Sequence, residues 1–181
     1  MNEDSVVLRE AIQGRWGEAK GEKVQRYVGK FWDRQRRGRR ITAVVQGNHG
    51  NYNVAIEAQE AGLWSACSCY IGKHGSCHHC AALGLTFLAE PDSFVEVKLV
   101  KRSAVTDLDT LQGYLNSVTL DDLTKQLKTK GITQKAFCET IGMGSGHLTA
   151  VKSAEKRNHY YHELGAIKLA VVWVLENFDT D

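Results

Sequence analysis

Proline occurs once in this chain of 181 residues, at Pro91. There is accordingly no proline-rich linker, and helices and strands meet few built-in stops. Long apolar runs are missing too. The longest near the C-terminus, residues 169–175, falls far short of the ~20 residues that a membrane-spanning helix needs, and Lys168 and Glu176 bracket it. The opening Met-Asn-Glu-Asp is acidic and precedes no apolar segment of the secretory kind. No low-complexity tract or internal repeat stands out. An excess of one charge is also absent, with 23 Lys and Arg against 21 Asp and Glu. Net charge alone therefore does not argue for a nucleic-acid ligand. The expectation is a cytoplasmic protein in a reducing setting, ordered almost throughout, with no membrane partner.

The cysteines are few but clustered. Of five, four lie in the stretch Trp-Ser-Ala-Cys-Ser-Cys-Tyr-Ile-Gly-Lys-His-Gly-Ser-Cys-His-His-Cys-Ala-Ala-Leu, residues 64–83, with His74, His78 and His79. An odd count, in a chain long enough to form a core, argues against a disulfide framework. Zinc takes four tetrahedral sulfur or nitrogen ligands. Cys67 and Cys69 are two residues apart and share a face of an extended chain, so they form one ligand pair at a strand end. Cys77 and His79 form the second pair at the start of a helix through Ala81, Ala82 and Leu83. The region of Gly72 and Gly75 folds the chain back between them. The spacing Cys77-x-x-Cys80 also suits a metal, so a four-cysteine site is the alternative.

The pattern C-x-C, seven residues, C-x-H, then x-x-Ala-Leu resembles the SWIM zinc finger. The resemblance covers roughly residues 22–90 and implies one structural Zn2+ held by Cys67, Cys69, Cys77 and His79, with His74 and His78 as bystanders. Upstream, residues 24–32, 41–46, 52–58 and 63–69 read as strands, the third by its alternation of Tyr52, Val54 and Ile56 with polar neighbours. Gly47-Asn-His-Gly-Asn51 is turn chemistry. The expected first domain is a small antiparallel β-meander plus one helix.

Between the first two strands lies Asp33-Arg-Gln-Arg-Arg-Gly-Arg-Arg40, read as a hairpin tip beside Phe31 and Trp32. Its Arg34, Arg36, Arg37, Arg39 and Arg40 are candidates for phosphate contact. Residues 1–40 hold eleven Lys and Arg against six Asp and Glu, the most basic part of the chain. Residues 5–18 suit a short amphipathic helix ended by glycines.

From residue 107 the periodicity is helical. Thr119 and Thr133 read as helix caps, and Gly131 and Gly142 as stops. The last helix, residues 161–178, is apolar almost all round, which suggests deep burial or a homodimer interface. Residues 132–153 carry Ile132, Thr133-Gln134, Phe137-Cys138, Ile141-Gly142-Met143, Leu148 and Val151. This pattern resembles the helix-turn-helix of Xre or lambda-repressor-like proteins. The resemblance implies that Gln134 touches a phosphate and that Ser145, Gly146 and Ala150 face base edges. Gly146 and Ala150 offer a base little, so His147, Thr149, Lys152 and Ser153 are the further polar candidates. Where the family usually has a glycine after the second helix, this chain has Ala154. Cys138 and Met143 are read as core.

The sequence thus predicts an α+β chain in three parts: an N-terminal helix (1–21), a SWIM-like zinc domain (22–105) and an all-α helix-turn-helix bundle (106–181). Two families that commonly bind nucleic acid point to a DNA-binding transcriptional regulator. A protein-interaction adaptor is the alternative. No phosphate-cradling glycine loop or nucleophile motif is present, and four protein ligands leave a zinc no open position. An enzyme is not expected.

Overall fold

The computed structural model describes residues 3–72, 75–159 and 161–178. The fold is α+β, and the chain divides into two compact units, residues 1–97 and 98–181. Among the described residues, no helix is long and apolar enough to cross a membrane.

The first unit is a five-stranded sheet with helices on one face. Its elements are α1 (Glu3–Trp16), α2 (Glu22–Gln25), β1 (Trp32–Arg37), β2 (Arg40–Gly47), β3 (Gly50–Gln59), β4 (Gly62–Cys67), α3 (His78–Ala89) and β5 (Val95–Glu96). The sheet order is β4-β3-β2-β1-β5. Strands β1 to β4 form the expected antiparallel meander. Strand β5 adds to β1 in parallel, through Gln35↔Val95 and Arg36↔Glu96, so the sheet is mixed.

Alternation decides which face is buried. Cross-strand pairs Ile41↔Ile56 and Ala43↔Val54 point to one side and join Leu8 and Ile12 of α1 with Leu83 and Phe87 of α3 in one core. A Cβ on Gly84 of α3 would lie 2.8 Å from a Trp16 ring carbon and 3.0 Å from an Ile12 methyl. The missing side chain is what lets α1 and α3 cross closely.

The first strand is not where the sequence placed it. Of residues 24–32, expected to be extended, only Trp32 is in a strand; residues 24–29 form the end of α2 and a turn, and Gly29 takes a φ of +77°. The arginine-rich stretch is itself strand β1, and the β1–β2 turn is only Gly38 and Arg39. Apolar composition suggested a strand, but Tyr27 and Phe31 are used as single buried anchors in the core.

The second unit is all helical: α4 (Leu108–Ser117), α5 (Leu120–Thr129), α6 (Gln134–Thr140), α7 (Ser145–Lys156) and α8 (Leu164–Asn177). Asp107 caps α4 with a capping box through Thr110. The Thr119 and Thr133 hydroxyls accept from the Asp122 and Ala136 amides at 3.0 and 3.1 Å, as caps should. Gly131 and Gly142 follow α5 and α6 with φ of +73° and +68°. Cys138 is buried beside Phe137, and Met143 packs half-buried against the same core.

Helix α8 is not apolar on every contact. Lys168, 5% exposed, turns inward. Its ammonium donates to the carbonyls of Leu115 (2.8 Å) and Val118 (2.7 Å) at the end of α4 and pairs with Glu155 of α7 at 2.7 Å. The other Glu155 oxygen accepts from the Leu120 amide at the start of α5 (2.8 Å). One buried ion pair thus closes orphan backbone groups on two helices and ties four together. Removing only its cation leaves the Glu155 carboxylate buried. Lys168→Met is therefore expected to destabilise the helical unit by about 3–5 kcal/mol, read as a lowered urea midpoint with far-UV dichroism as the probe. An unchanged midpoint would assign the pair no structural role.

Candidate metal centre

The site forms where β4 ends and α3 begins. Register Val54↔Cys67 makes Cys67 the last paired residue of β4. Beyond it, the Ser68 amide donates to the Asn53 carbonyl and its hydroxyl accepts from the Asn53 amide, both at 3.0 Å. Ser68 thus stays with the sheet while Cys67 and Cys69 turn together to the core side.

The return loop depends on glycine at two points. A Cβ on Gly72 would strike Cys67 and lie 2.9 Å from the Cys69 sulfur. Gly75 has a φ of +77°, and a Cβ there would strike the Ser65 carbonyl. The Gly72 amide donates to the Cys69 sulfur at 3.1 Å, and the Cys69 amide approaches the Cys67 sulfur at 3.5 Å. The Ser65 hydroxyl donates to the Gly75 carbonyl. Cys77 is the extended N-cap residue of α3, which places its sulfur at the positive end of the helix.

These elements bring Cys67, Cys69, Cys77 and His79 together, all buried, with their ligand atoms within 4.8 Å of one another. The His79 Nδ1 is 3.7 Å from the Cys67 sulfur and 3.8 Å from the Cys77 sulfur. Tetrahedral ligation with bonds of roughly 2.0–2.3 Å puts ligand atoms about 3.5–3.8 Å apart, so these edges fit a metal ion. His79 is 3% exposed, and its Nε2 has no hydrogen-bond partner among the described residues. The four residues can hold a metal ion, and when bound it would cross-link the strand end to the helix start.

Cys80 lies outside this set, although it is fully buried and its sulfur is 3.6 Å from that of Cys77. It is a neighbour of a ligand. Hydrogen bonds from Cys67 and Cys80 pull the Cys77 thiol far below the usual range, and the same bonds, with burial, push Cys67 and Cys80 up. Burial raises Cys69 as well. Thiol ligands bind a metal as thiolates, so a bound cation would displace thiol protons from this cluster. His78 stacks on Tyr27 rather than joining the cluster, and His74 lies outside the described residues.

The structure disperses the nucleic-acid candidates. Arg34 donates to Glu90 at 2.6 Å and to the Gly29 carbonyl at 2.7 Å. Arg36 pairs with Glu96 at 2.7 Å, Arg39 with Asp4 at 2.8 Å and Arg40 with Glu57 at 3.5 Å. The Arg40 guanidinium also lies over the Trp64 ring, 5.6 Å from its centre. Arg37 stands opposite Arg40 in the sheet. These arginines are side chains of a paired strand and its turn, not a free hairpin tip. In the helical unit, Gln134, Ser145 and Thr149 are exposed, and the Thr149 hydroxyl donates to the Ser145 carbonyl at 3.0 Å. His147 bonds Glu163 at 2.6 Å and Lys152 pairs with Asp121 at 2.7 Å.

Sequence reasoning missed the carboxylate partners, the contact of Cys80 with Cys77, and the rings of Tyr27 and Tyr52 around His79. The Cys77-x-x-Cys80 spacing was the one available signal, for the second of these.

No protein-family model matches the chain, and comparison with curated proteins and with solved structures gives no significant match.

The geometry separates two neighbouring cysteines. Cys77→Ser is expected to abolish stoichiometric metal binding, whereas Cys80→Ser retains it, as measured by elemental analysis of the purified full-length chain. Loss of metal in Cys80→Ser with retention in His79→Ala would reverse the ligand assignment.

Proposed function

We propose that this chain is a zinc-stabilised, non-catalytic DNA-binding protein, built from a SWIM-type zinc unit and a helix-turn-helix unit, that acts as a transcriptional regulator. The buried Cys3His cluster carries the first half of this reading. Zinc suits three thiolates and an imidazole better than harder divalent ions do. Four protein ligands fill a tetrahedral shell, which gives the ion a structural role. It would contribute folding free energy to a unit of 97 residues.

The second half rests on α6 and α7. Phe137, Cys138, Leu148 and Val151 are buried, and Gln134, Ser145, Gly146, Thr149, Ala150 and Ser153 face outward. The Gly142 turn and the bond from the Met143 amide to the Cys138 carbonyl (2.8 Å) hold the two helices close. This is the division of faces that the helix-turn-helix resemblance requires. The outward face is short-chained. Its part of the binding would come from close approach of the helix and from hydrogen bonds by Gln134, Ser145 and Thr149, rather than from long cationic side chains. The carboxylate-paired arginines of β1 are assigned to the fold of the zinc unit.

Two observations favour an adaptor as the second reading. Arg34, Arg36, Arg39 and Arg40 each have a carboxylate partner already. Helix α8 exposes Leu169 and Trp173, the latter 57% exposed, on a face suited to a second copy or another protein.

Salt-titrated fluorescence anisotropy of the intact zinc-loaded protein on random duplex DNA separates the two. The DNA reading predicts binding that falls steeply with salt. It also predicts at least roughly tenfold weaker binding for Ser145→Glu and little change for Arg36→Ala. No binding at low salt by a folded, zinc-loaded sample would sink it and leave the adaptor.

A further inference from the structure

His79 presents two nitrogens to two different surroundings. Its Nδ1 faces the sulfurs of Cys67 and Cys77, at 3.7 and 3.8 Å. Its Nε2 is buried and has no hydrogen-bond partner among the described residues. Ligating histidines normally donate their second ring N–H to a carboxylate, a carbonyl or a water, which fixes the tautomer and the ring plane. Among the described residues no protein acceptor is within hydrogen-bonding reach of this Nε2, and a buried N–H left without an acceptor is costly.

Aromatic rings enclose the imidazole instead. The Tyr27 ring centre is 4.6 Å from that of His79, with the planes at 70°. The Tyr52 ring is 5.0 Å away at 47°, and His78 is 4.1 Å away at 51°. A nitrogen on the side of the imidazole that faces Tyr27 would lie roughly 3.4 Å from the aromatic centre, the reach of an N–H···π bond. The near-perpendicular planes suit that bond, because an aromatic face is negative and an N–H edge positive. The 47° tilt of Tyr52 suits it less well.

We propose that the face of the Tyr27 ring accepts the Nε2–H of His79 and so holds the imidazole as an Nδ1 ligand. The inference rests on the zinc reading above. Tyr27 is then a positioning residue for the metal centre. The turn from Gly21 to Lys30 holds the ring in place, with the Tyr27 amide bonded to the Val24 carbonyl at 3.0 Å and the Lys30 amide to the Tyr27 carbonyl at 3.1 Å. Tyr27 itself is buried in the core of the unit. An aromatic face accepts a proton without offering a lone pair to the metal, so it orients His79 without competing with it.

The test is NMR of the zinc-loaded, full-length protein with 15N-labelled histidine. The expected result has Nδ1 bound to zinc and a protected Nε2–H proton, shifted upfield by ring current and showing a nuclear Overhauser contact with the Tyr27 ring protons. Tyr27→Phe keeps the aromatic face and is expected to keep the shift and the zinc affinity. Tyr27→Leu is expected to move the proton downfield and to weaken zinc binding about 10- to 100-fold in a chelator competition. If Tyr27→Leu fails to fold, the wild-type contact decides the question alone. Zinc bound with Nε2 ligation, or an Nε2–H that contacts Tyr52 and not Tyr27, would overturn this inference and leave the zinc reading standing. A folded wild-type chain that binds no zinc would overturn both.

Discussion

Three thiols and an imidazole share a space less than 5 Å across, and the first unit is arranged around the need to neutralise them. Three thiolates cannot coexist there unaided, because like charges at that separation repel and burial penalises each of them. Contacts with Cys67 and Cys80 pull the Cys77 thiol down, while burial and the same contacts push Cys67 and Cys80 up. A divalent ion would remove the conflict and cross-link two elements that no ladder joins, the end of β4 and the start of α3. The glycines at 72 and 75, the Asn53–Ser68 bonds and the Tyr27 turn are all local conditions for that convergence. Burial of Cys80 against Cys77 makes the neighbourhood richer in sulfur than the ligand set itself.

Both units use charge internally. In the sheet, the arginines of β1, its turn and the start of β2 meet Glu90, Glu96, Asp4 and Glu57. Most of these partners are well exposed, so each pair adds little stability, but together they offset the charge of a dense basic stretch. In the helical unit the Lys168–Glu155 pair is buried, and there the geometry matters more, because each charge also satisfies backbone groups. What remains outward on the first two turns of α7 is short and uncharged, with exposed Lys156 at its end. On the proposed reading, recognition by that helix depends on how closely its backbone can approach a partner.

Short-range chemistry was legible in the sequence, and long-range chemistry was not. The spacing of Cys67, Cys69, Cys77 and His79 announced a convergent site because ligand pairs are local. The caps at Thr119 and Thr133 and the stops at Gly131 and Gly142 were likewise readable, since each is decided within one helical turn. Residues 24–32 looked extended, yet the pull of Tyr27 and Phe31 into the core outweighed strand propensity, which is a weak preference. The arginine stretch looked like a solvated tip because its acidic partners lie 17 to 60 residues away in the chain. Lys168 looked like the polar end of an apolar run. Nothing local reveals that two carbonyls and a carboxylate wait for it.

On the proposed reading, three sulfurs and one histidine nitrogen hold a single zinc ion. X-ray absorption at the zinc edge, on the full-length chain purified with its metal, tests this most directly. The account predicts one zinc per chain, with about three Zn–S contacts near 2.3 Å and one Zn–N contact near 2.0 Å. A shell of four sulfurs would put Cys80 in place of His79. A folded chain that takes up no zinc would contradict the account at its base.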